Sequence, residues 1–366
     1  MSSFFAAIFL LGLSLANAVN FTTVYEWDKL DFVWPSGADS SIEEIKRNFN
    51  PNDVEFQYMA VFGERLFLSL ELKDGIPATL VWLPTSGKST SPPKLAPFPS
   101  WNLHKQDNCD SIQNAKGLET DPDGRLWVVD DGSSECPGKI WIFNLLKNDT
   151  TERVHQFPDA VVSHSYTGRE LTDIVLDKTT DDHLAYITDY YSEHIIVYSR
   201  KMDKSWSVIT PGMMRWYSLA LSPVREARQL YLGRIDSTEL YSVSVSELRN
   251  EGGRAAVKLI GEWTENPYRM LLDSSANVLY AAFWYQSYLS KWNTSEPFVE
   301  QRFHEGGELD AEWPFTFALD TNGILWMTQR NNETGVDNKP RNKLLKAAVG
   351  ARKNQFGTPT DLPSRG

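Results

Sequence analysis

Polar and aromatic side chains recur at two adjacent positions of a repeated strand pattern in this chain. One strand of each repeat ends at a marker residue, and the six markers are Val61, Asp121, Asp177, Ser222, Asp273 and Asp320. Four residues before the markers stand Gln57, Gly117, Asp173, Ser218, Arg269 and Thr316. Five residues before them stand Phe56, Lys116, Thr172, Tyr217, Tyr268 and Phe315. If these strands start at one mouth of a channel, the first set forms a polar ring there and the second a mainly aromatic ring.

The two rings have the chemistry of a site for a small aromatic ligand. Asp173 can pair with an amine, and Arg269 or Arg330 with a carboxylate or a quinone oxygen, while the aromatic rings stack on the ligand. The second strands end at the same face and add further polar groups. The predicted ligand-binding residues are Gln57, Thr172, Tyr217, Ser218, Tyr268, Arg269, Phe315, Thr316, Gln329 and Arg330. The alternative is that these side chains only plug the channel.

Familiar catalytic motifs are missing from the sequence. It contains no Gly-x-Ser-x-Gly, His-Glu-x-x-His or phosphate-loop pattern, which disfavours a hydrolase of known type. The six histidines are scattered without metal-ligand spacing. We therefore expect neither a metal site nor a cofactor.

The strands that must position the rings belong to six similar repeats. Each repeat is an apolar stretch, a turn with Asp, Asn or Gly, and a second apolar or aromatic strand, which is typical of a hairpin. The copies begin about 45–60 residues apart, as propeller blades do, at Met59, Leu118, Ile174, Leu219, Leu271 and Phe317. The sequence thus predicts an all-β, six-bladed β-propeller over residues 19–350. Residues 24–27 could pair with residues 343–349, so that strands from the two ends of the chain close the ring.

The two ends of the chain carry no propeller pattern. Residues 1–18 have an apolar run followed by Ala16-Asn17-Ala18, which indicates a cleaved signal peptide and hence a secreted protein. Residues 351–366 are expected to form a flexible tail. No later stretch is long and apolar enough to span a membrane. The net charge of -12 makes nucleic acid a poor partner, because phosphate binding requires a basic face.

Two covalent modifications follow from a secreted location. Four Asn-x-Ser/Thr sequons provide candidate glycosylation sites, at Asn20, Asn148, Asn293 and Asn332. The only two cysteines, Cys109 and Cys136, fit one disulfide in an oxidising compartment. A metal site is the alternative for the cysteines, although two thiols alone support it poorly.

An ordered set of motifs along the chain resembles the Yellow/major royal jelly protein family. The set includes VYEWDKLDFVWPS from Val24, GIPATL from Gly75, PFPSW from Pro97, DNC from Asp107, RLWVVDDG from Arg125 and Cys136-Pro137. The resemblance covers essentially the whole mature chain. It implies a secreted six-bladed propeller, in agreement with the repeat count.

The resemblance also implies a small set of functions. Some Yellow proteins are associated with pigment chemistry as dopachrome-converting isomerases, and salivary relatives sequester biogenic amines. Royal jelly members act as nutritive or assembly proteins. By this resemblance, amine-binding members carry a Thr at the position of Phe315 and a Ser-Asn pair at the positions of Gln329-Arg330. Because the arginine adds positive charge, this chain favours a dopachrome-like carboxylate over an amine.

We therefore expect a catechol- or indole-type small molecule as the partner. Tautomerisation requires only a positioned base and an acid, so Asp173 is the candidate catalytic base if the protein is an enzyme. Amine binding without catalysis and a structural or nutritive role are the alternatives. The sequence does not distinguish the outer edges of the blades, so it predicts no oligomer interface.

Overall fold

The structure, a computed structural model, describes residues 19–37, 40–86, 92–105, 108–212, 215–223, 227–305, 316–330 and 342–349. Of Ser41 it describes the main chain only. The predicted signal peptide and the predicted tail lie outside these ranges, and so do Phe315 and Asn332.

Strands make up about half of the described chain. Among the described residues there are two helices, α1 (Ser40–Asn48) and α2 (Val245–Leu248), and three short 3-10 turns, Pro51–Asp53, Trp101–Leu103 and Tyr166–Gly168. The strands are β1 (Thr22–Trp27), β2 (Asp31–Phe32), β3 (Phe56–Phe62), β4 (Arg65–Leu70), β5 (Leu80–Pro84), β6 (Lys94–Pro97), β7 (Ala115–Thr120), β8 (Arg125–Asp130), β9 (Lys139–Asn144), β10 (Thr150–Gln156), β11 (Leu171–Lys178), β12 (His183–Asp189), β13 (His194–Ser199), β14 (Lys204–Ile209), β15 (Trp216–Leu221), β16 (Gln229–Arg234), β17 (Glu239–Ser244), β18 (Val257–Glu262), β19 (Pro267–Asp273), β20 (Val278–Phe283), β21 (Tyr288–Asn293), β22 (Gln301–Glu305), β23 (Phe317–Leu319), β24 (Ile324–Arg330) and β25 (Asn342–Ala348).

These strands form six antiparallel sheets that are the blades of a propeller. Five sheets have four strands, and the sixth has five because β2 adds to β6 in parallel. The innermost strands of the blades are β3, β7, β11, β15, β19 and β23, and they contact one another around the central channel. The prediction of a six-bladed β-propeller is confirmed.

The last blade is built from both ends of the chain. β1 pairs with β25, with Thr23 opposite Leu345 and Trp27 opposite Asn342, and β24 and β23 complete the sheet. This pairing is the predicted closure. Since a closed ring leaves no blade without a neighbour, every blade buries both faces, as a propeller requires.

The turn between the first two strands of a blade is set by an aspartate. In the second repeat along the chain, Asp121 accepts hydrogen bonds from the N–H groups of Asp123 and Arg125 and from the indole N–H of Trp127. Asp320 makes the same three kinds of bond in the last blade. The turn also needs glycine, because the φ of Gly124 is +82°. The repeated Asp-x-x-Gly pattern therefore codes for a hairpin turn that is fastened to a tryptophan.

A disulfide joins Cys109 to Cys136, with the two Cα atoms 5.2 Å apart, which confirms the predicted bridge. The adjacent loops are also held by the buried guanidinium of Arg169. It donates five hydrogen bonds of 2.7–3.1 Å to main-chain carbonyls, those of Asp131, Ser133, Cys136, Ser163 and His164. The cross-link and the arginine together fix this side of the molecule.

Three of the four predicted glycosylation sites lie at positions that the structure describes. Asn20 and Asn148 are exposed and Asn293 is partly exposed, so all three side chains are compatible with glycosylation. Within the described ranges, no helix has the length and apolar character needed to cross a bilayer.

Candidate functional site

The channel contains two cavities, one at each mouth, and their linings share no residue. The strand-start cavity, about 210 Å³, lies where the innermost strands begin. The strand-end cavity, about 400 Å³, lies toward the opposite mouth. We call the side chains between them the middle layer, which consists of Tyr58, Asp173, Ser218, Arg269 and Thr316.

The residues of the two predicted rings are divided between the strand-start cavity and the middle layer. Gln57, Tyr217, Tyr268, Gln329 and Arg330 line the strand-start cavity. The remaining described members of the predicted set lie in or beside the middle layer: Thr172, Asp173, Ser218, Arg269 and Thr316. Of these, only Asp173 and Arg269 line a cavity, and it is the strand-end cavity. Phe315 lies outside the described residues.

The first blade is offset by one residue from the predicted register. A main-chain N–H donates to a hydroxyl of the second strand at Tyr58, Asp173 and Thr316, which are therefore equivalent positions. Tyr58, rather than Gln57, thus belongs to the polar ring. Gln57 takes a place in the aromatic ring and faces the strand-start cavity.

A β-bulge at the start of the innermost strands explains why neighbouring ring positions serve different cavities. The strand register shifts in five of them, between Phe56/Tyr58, Ala115/Leu118, Leu171/Ile174, Trp216/Ser218 and Pro267/Arg269. An extra residue in a strand changes the direction in which the neighbouring side chains point. In β7 the bulge includes Gly117, where an added Cβ would lie 2.7 Å from the carbonyl oxygen of Thr172. No other residue fits at that close approach.

Arg269 and Asp173 form the centre of the middle layer. The guanidinium of Arg269 lies 3.4 Å from the centroid of the Tyr58 ring and donates to the Gln57 carbonyl at 2.8 Å. Its Nη1 is 3.5 Å from Asp173 Oδ1. Burial raises the pKa of Asp173 against the opposing pull of Arg269.

The carboxylate of Asp173 is also bonded to the main chain. It accepts hydrogen bonds from the N–H groups of Ile174, at 3.0 Å, and of Leu219, at 2.9 Å, in the next blade. Together with Arg269 these donors occupy both carboxylate oxygens. Asp173 therefore joins two blades and balances a buried cation, which is a structural role.

Aromatic rings form one wall of the strand-start cavity. Tyr268 packs edge-to-face on Trp284 with ring centroids 4.4 Å apart, and Tyr217 lies 5.6 Å from Tyr268 and 6.2 Å from Trp284. The exposed Tyr285 follows Trp284 at the rim. This wall offers ring faces and edges to a planar ligand.

Charged groups form the opposite wall. Lys73 Nζ lies 2.6 Å from Glu55 and 3.3 Å from Glu71, and Arg330 Nη1 is 3.8 Å from Glu55. Burial, assisted by the neighbouring Glu71, raises the pKa of Glu55 to about 7. Glu55 can therefore accept or donate a proton near neutral pH. Lys116 also lines this cavity.

Some of these residues escaped sequence reasoning. Glu55 precedes β3, and Glu71 and Trp284 each follow the last residue of a second strand, so neither ring position includes them. The sequence does contain a signal for Glu71 and Trp284, because the ends of the second strands were expected at this mouth of the channel. Glu55 lies before both ring positions of the first blade in either register, so the repeat carries no signal for it. Among the residues that the structure describes, no group of three or more His, Cys, Asp or Glu could hold a metal ion.

Comparison with known proteins gives one family match. Residues 113–216 and 212–335 match the Major royal jelly protein family. Protein yellow of Drosophila yakuba and of Drosophila melanogaster are each 28% identical to this chain, over 351 and 352 residues respectively. Both alignments cover 83% of this chain and 63% of the relative. The chain thus spans less than two thirds of the length of these relatives.

Solved structures resemble the chain in fold. A luciferin-regenerating enzyme has a TM-score of 0.51 at 10% identity, covering 84% of this chain and 95% of its own. A structural genomics protein of unknown function from Bacteroides thetaiotaomicron has a TM-score of 0.52 at 12% identity, covering 90% and 76%. At these identities the likeness concerns the fold alone.

Proposed function

Because the chain belongs to the Major royal jelly protein family, we propose that it is a secreted protein that binds a small aromatic molecule of the catechol or indole type in the strand-start cavity. The observation that carries this proposal is the pairing of an aromatic wall with a charged wall in one cavity of about 210 Å³. Ligand sites commonly combine such apolar or aromatic surfaces with a few convergent polar groups.

Arg330 is the group of the cavity that recognises a ligand carboxylate. It and Lys116 line the cavity together with Glu55, Glu71 and Glu170, and Glu55 carries only part of a negative charge at neutral pH because burial raises its pKa to about 7. A ligand carboxylate that approaches Arg330 replaces Glu55 as its counter-ion, and Glu55 stays paired with Lys73. An indole-quinone carboxylate such as dopachrome meets these requirements, with its ring against Tyr268 and Trp284.

The same cavity could also support a tautomerisation. This reaction moves a proton within the ligand and needs no oxidant or metal. Glu55 is the better candidate for the proton transfer, since it lines the strand-start cavity and titrates near pH 7. Asp173, the base predicted from the sequence, faces the other cavity and is occupied by Arg269 and two main-chain N–H groups.

The test is the decay of dopachrome with the purified secreted protein, followed by visible absorbance. Heat-denatured protein, Glu55→Gln and Asp173→Asn are compared with Glu170→Gln, a matched control because Glu170 lines the same cavity. We expect turnover beyond one equivalent, reduced roughly a hundredfold or more in Glu55→Gln and retained in the other two variants. Loss of turnover in a folded Asp173→Asn protein would instead identify Asp173 as the catalytic base.

Two other results would change the proposed function. A spectral change limited to one equivalent indicates binding without catalysis, and amines would then be titrated against the tryptophan fluorescence of the protein. If dopachrome and amines change neither absorbance nor fluorescence, the small-molecule proposal is wrong and a structural or nutritive role remains.

A further inference from the structure

One level of the wall of the strand-end cavity is apolar apart from a single acidic side chain. Two residues beyond the middle layer, each innermost strand contributes one residue to this wall, and the six are Ala60, Glu119, Val175, Ala220, Leu271 and Ala318. Three of them are alanines, which leaves space in the channel. Glu119 is the only one of the six that can carry a charge.

Glu119 has no basic partner in the described part of the chain. Its Oε1 accepts a hydrogen bond of 3.0 Å from the N–H of Thr120, and no ion pair involves it. The side chain keeps partial exposure to the cavity although protein surrounds it. Burial, assisted by the neighbouring carboxylates of Asp173 and Asp121, raises the pKa of Glu119 to about 7.

Each of the other charged groups on this wall has an ion-pair partner. The pairs are Asp121 with Arg125, Asp173 with Arg269 and Lys178 with Asp123, and Arg228 shares Asp177 with Arg249. Burial lowers the pKa of His183. The negative charge of Glu119 is therefore the one that a ligand can compensate. A buried carboxylate without a counter-ion is unfavourable, so a cation that enters the cavity gains this interaction in a low-dielectric space.

We propose that the strand-end cavity binds an amphiphilic organic cation, an ammonium group carried on an aliphatic chain. The ammonium group pairs with the free carboxylate oxygen of Glu119. The chain lies against the aliphatic side chains of the wall, such as Val175 and Leu271. An anion is excluded by Glu119, and a neutral molecule of the same shape gains the apolar contacts only.

The experiment uses n-hexylammonium, 1-hexanol and hexanoate as probes in calorimetric titrations of the intact protein. We expect hexylammonium to bind at least about tenfold more tightly than hexanol, and hexanoate not to bind. Glu119→Gln should weaken hexylammonium by about tenfold or more and leave hexanol within about twofold. Glu55→Gln, a carboxyl change in the strand-start cavity, should alter neither.

The number of protons released on binding is a second measurement. It would show no difference between the wild type and a Glu119 variant if Glu119 had a purely structural role. With a pKa of about 7, Glu119 is about half protonated at pH 7, and a bound ammonium group displaces that proton. Titrations in two buffers of different ionisation enthalpy should therefore show about half a proton released per hexylammonium in the wild type. We expect no release in Glu119→Gln.

A blocking variant locates the probe. Val175→Phe fills the strand-end cavity and should abolish the binding of both hexylammonium and hexanol. The proposal is overturned if the wild type binds no hexylammonium, if Glu119→Gln binds it as tightly as the wild type does, or if Val175→Phe retains binding. Circular dichroism and thermal unfolding confirm that each variant is folded.

Discussion

The pair of Asp173 and Arg269 in the middle layer allows a quantitative test of the role of the aspartate. Asp173→Asn removes the carboxylate that faces the Arg269 guanidinium at 3.5 Å, while the amide oxygen can still accept one main-chain hydrogen bond. Both side chains are buried, so Arg269 is left without a counter-ion. Breaking a buried pair by removing one partner costs about 3–5 kcal/mol. We expect about 3 kcal/mol, because the substitution keeps the shape of the side chain.

The effect should depend on the partner. In an Arg269→Met protein no buried guanidinium faces Asp173, so replacing the aspartate by asparagine breaks no ion pair. Adding Asp173→Asn to Arg269→Met should therefore cost under about 1 kcal/mol, a coupling of about 2 kcal/mol. Urea unfolding followed by tryptophan fluorescence measures the four proteins of the cycle, and dopachrome decay is recorded in parallel.

Equal costs in the two backgrounds would refute this reasoning. A coupling below about 0.5 kcal/mol would mean that the two side chains do not stabilise each other. Asp173 would then be free to act as the base in the way the sequence predicts. A large coupling with retained turnover would assign Asp173 to the architecture of the channel.

Three further predictions concern stability. Arg169→Ala removes five hydrogen bonds to buried or partly buried carbonyls and should lower the free energy of unfolding by about 4 kcal/mol in urea titrations, with a smaller loss for Arg169→Lys; a change below about 1 kcal/mol would contradict the role given to Arg169. Replacing both Cys109 and Cys136 by serine should cost up to about 3.5 kcal/mol for a sequence separation of 27 residues, measured by thermal unfolding, and no loss would show that Arg169 alone holds the loops. The raised pKa values of Glu55 and Glu119 favour the protonated form in the folded state, so their stabilisation is complete below pH about 4.5 and is lost as the pH rises to about 7. Urea midpoints measured between pH 4.5 and 8 should fall over that window and flatten in a double Glu→Gln variant; an unchanged slope would contradict the shifts.

The fold could be predicted from the sequence because each repeat is defined by interactions between residues that are close together in the chain. Asp121 and Asp320 each begin a turn that needs glycine and ends near a tryptophan, and such short-range signals do not depend on distant contacts. These two turns mark the clearest copies of the repeat, and the other four copies are recognised by the same succession of apolar strand, turn and apolar strand. The pairing of β1 with β25 then follows, because a strand-like segment at each end remains without a partner in any other blade.

The site was harder to predict because it depends on side-chain direction. A strand turns its side chains to alternate faces, and one extra residue at a bulge reverses that order. The bulges fall at the ring positions, so Asp173 and Tyr217, both expected at one mouth, line different cavities. Glu119 shows the complementary case. It occupies a regular position beyond the bulge, and the sequence register would have found it as the one acid in an apolar ring.

The closure of the ring by β1 and β25 has a consequence for biosynthesis. Thr22 and Lys346 are bonded across a separation of 324 residues, so β1 leaves the ribosome long before the strand with which it pairs. Bringing such distant segments together costs roughly 3 kcal/mol more in chain entropy than closing a ten-residue hairpin. Blades that have already stacked reduce this cost because they hold the two ends near each other. Until β25 is synthesised, however, β1 has no partner strand and the last blade lacks its two outer strands, which leaves an incomplete seam beside the first blade. The nascent chain therefore needs protection from association at that seam, and a chain truncated before residue 342 can never supply it.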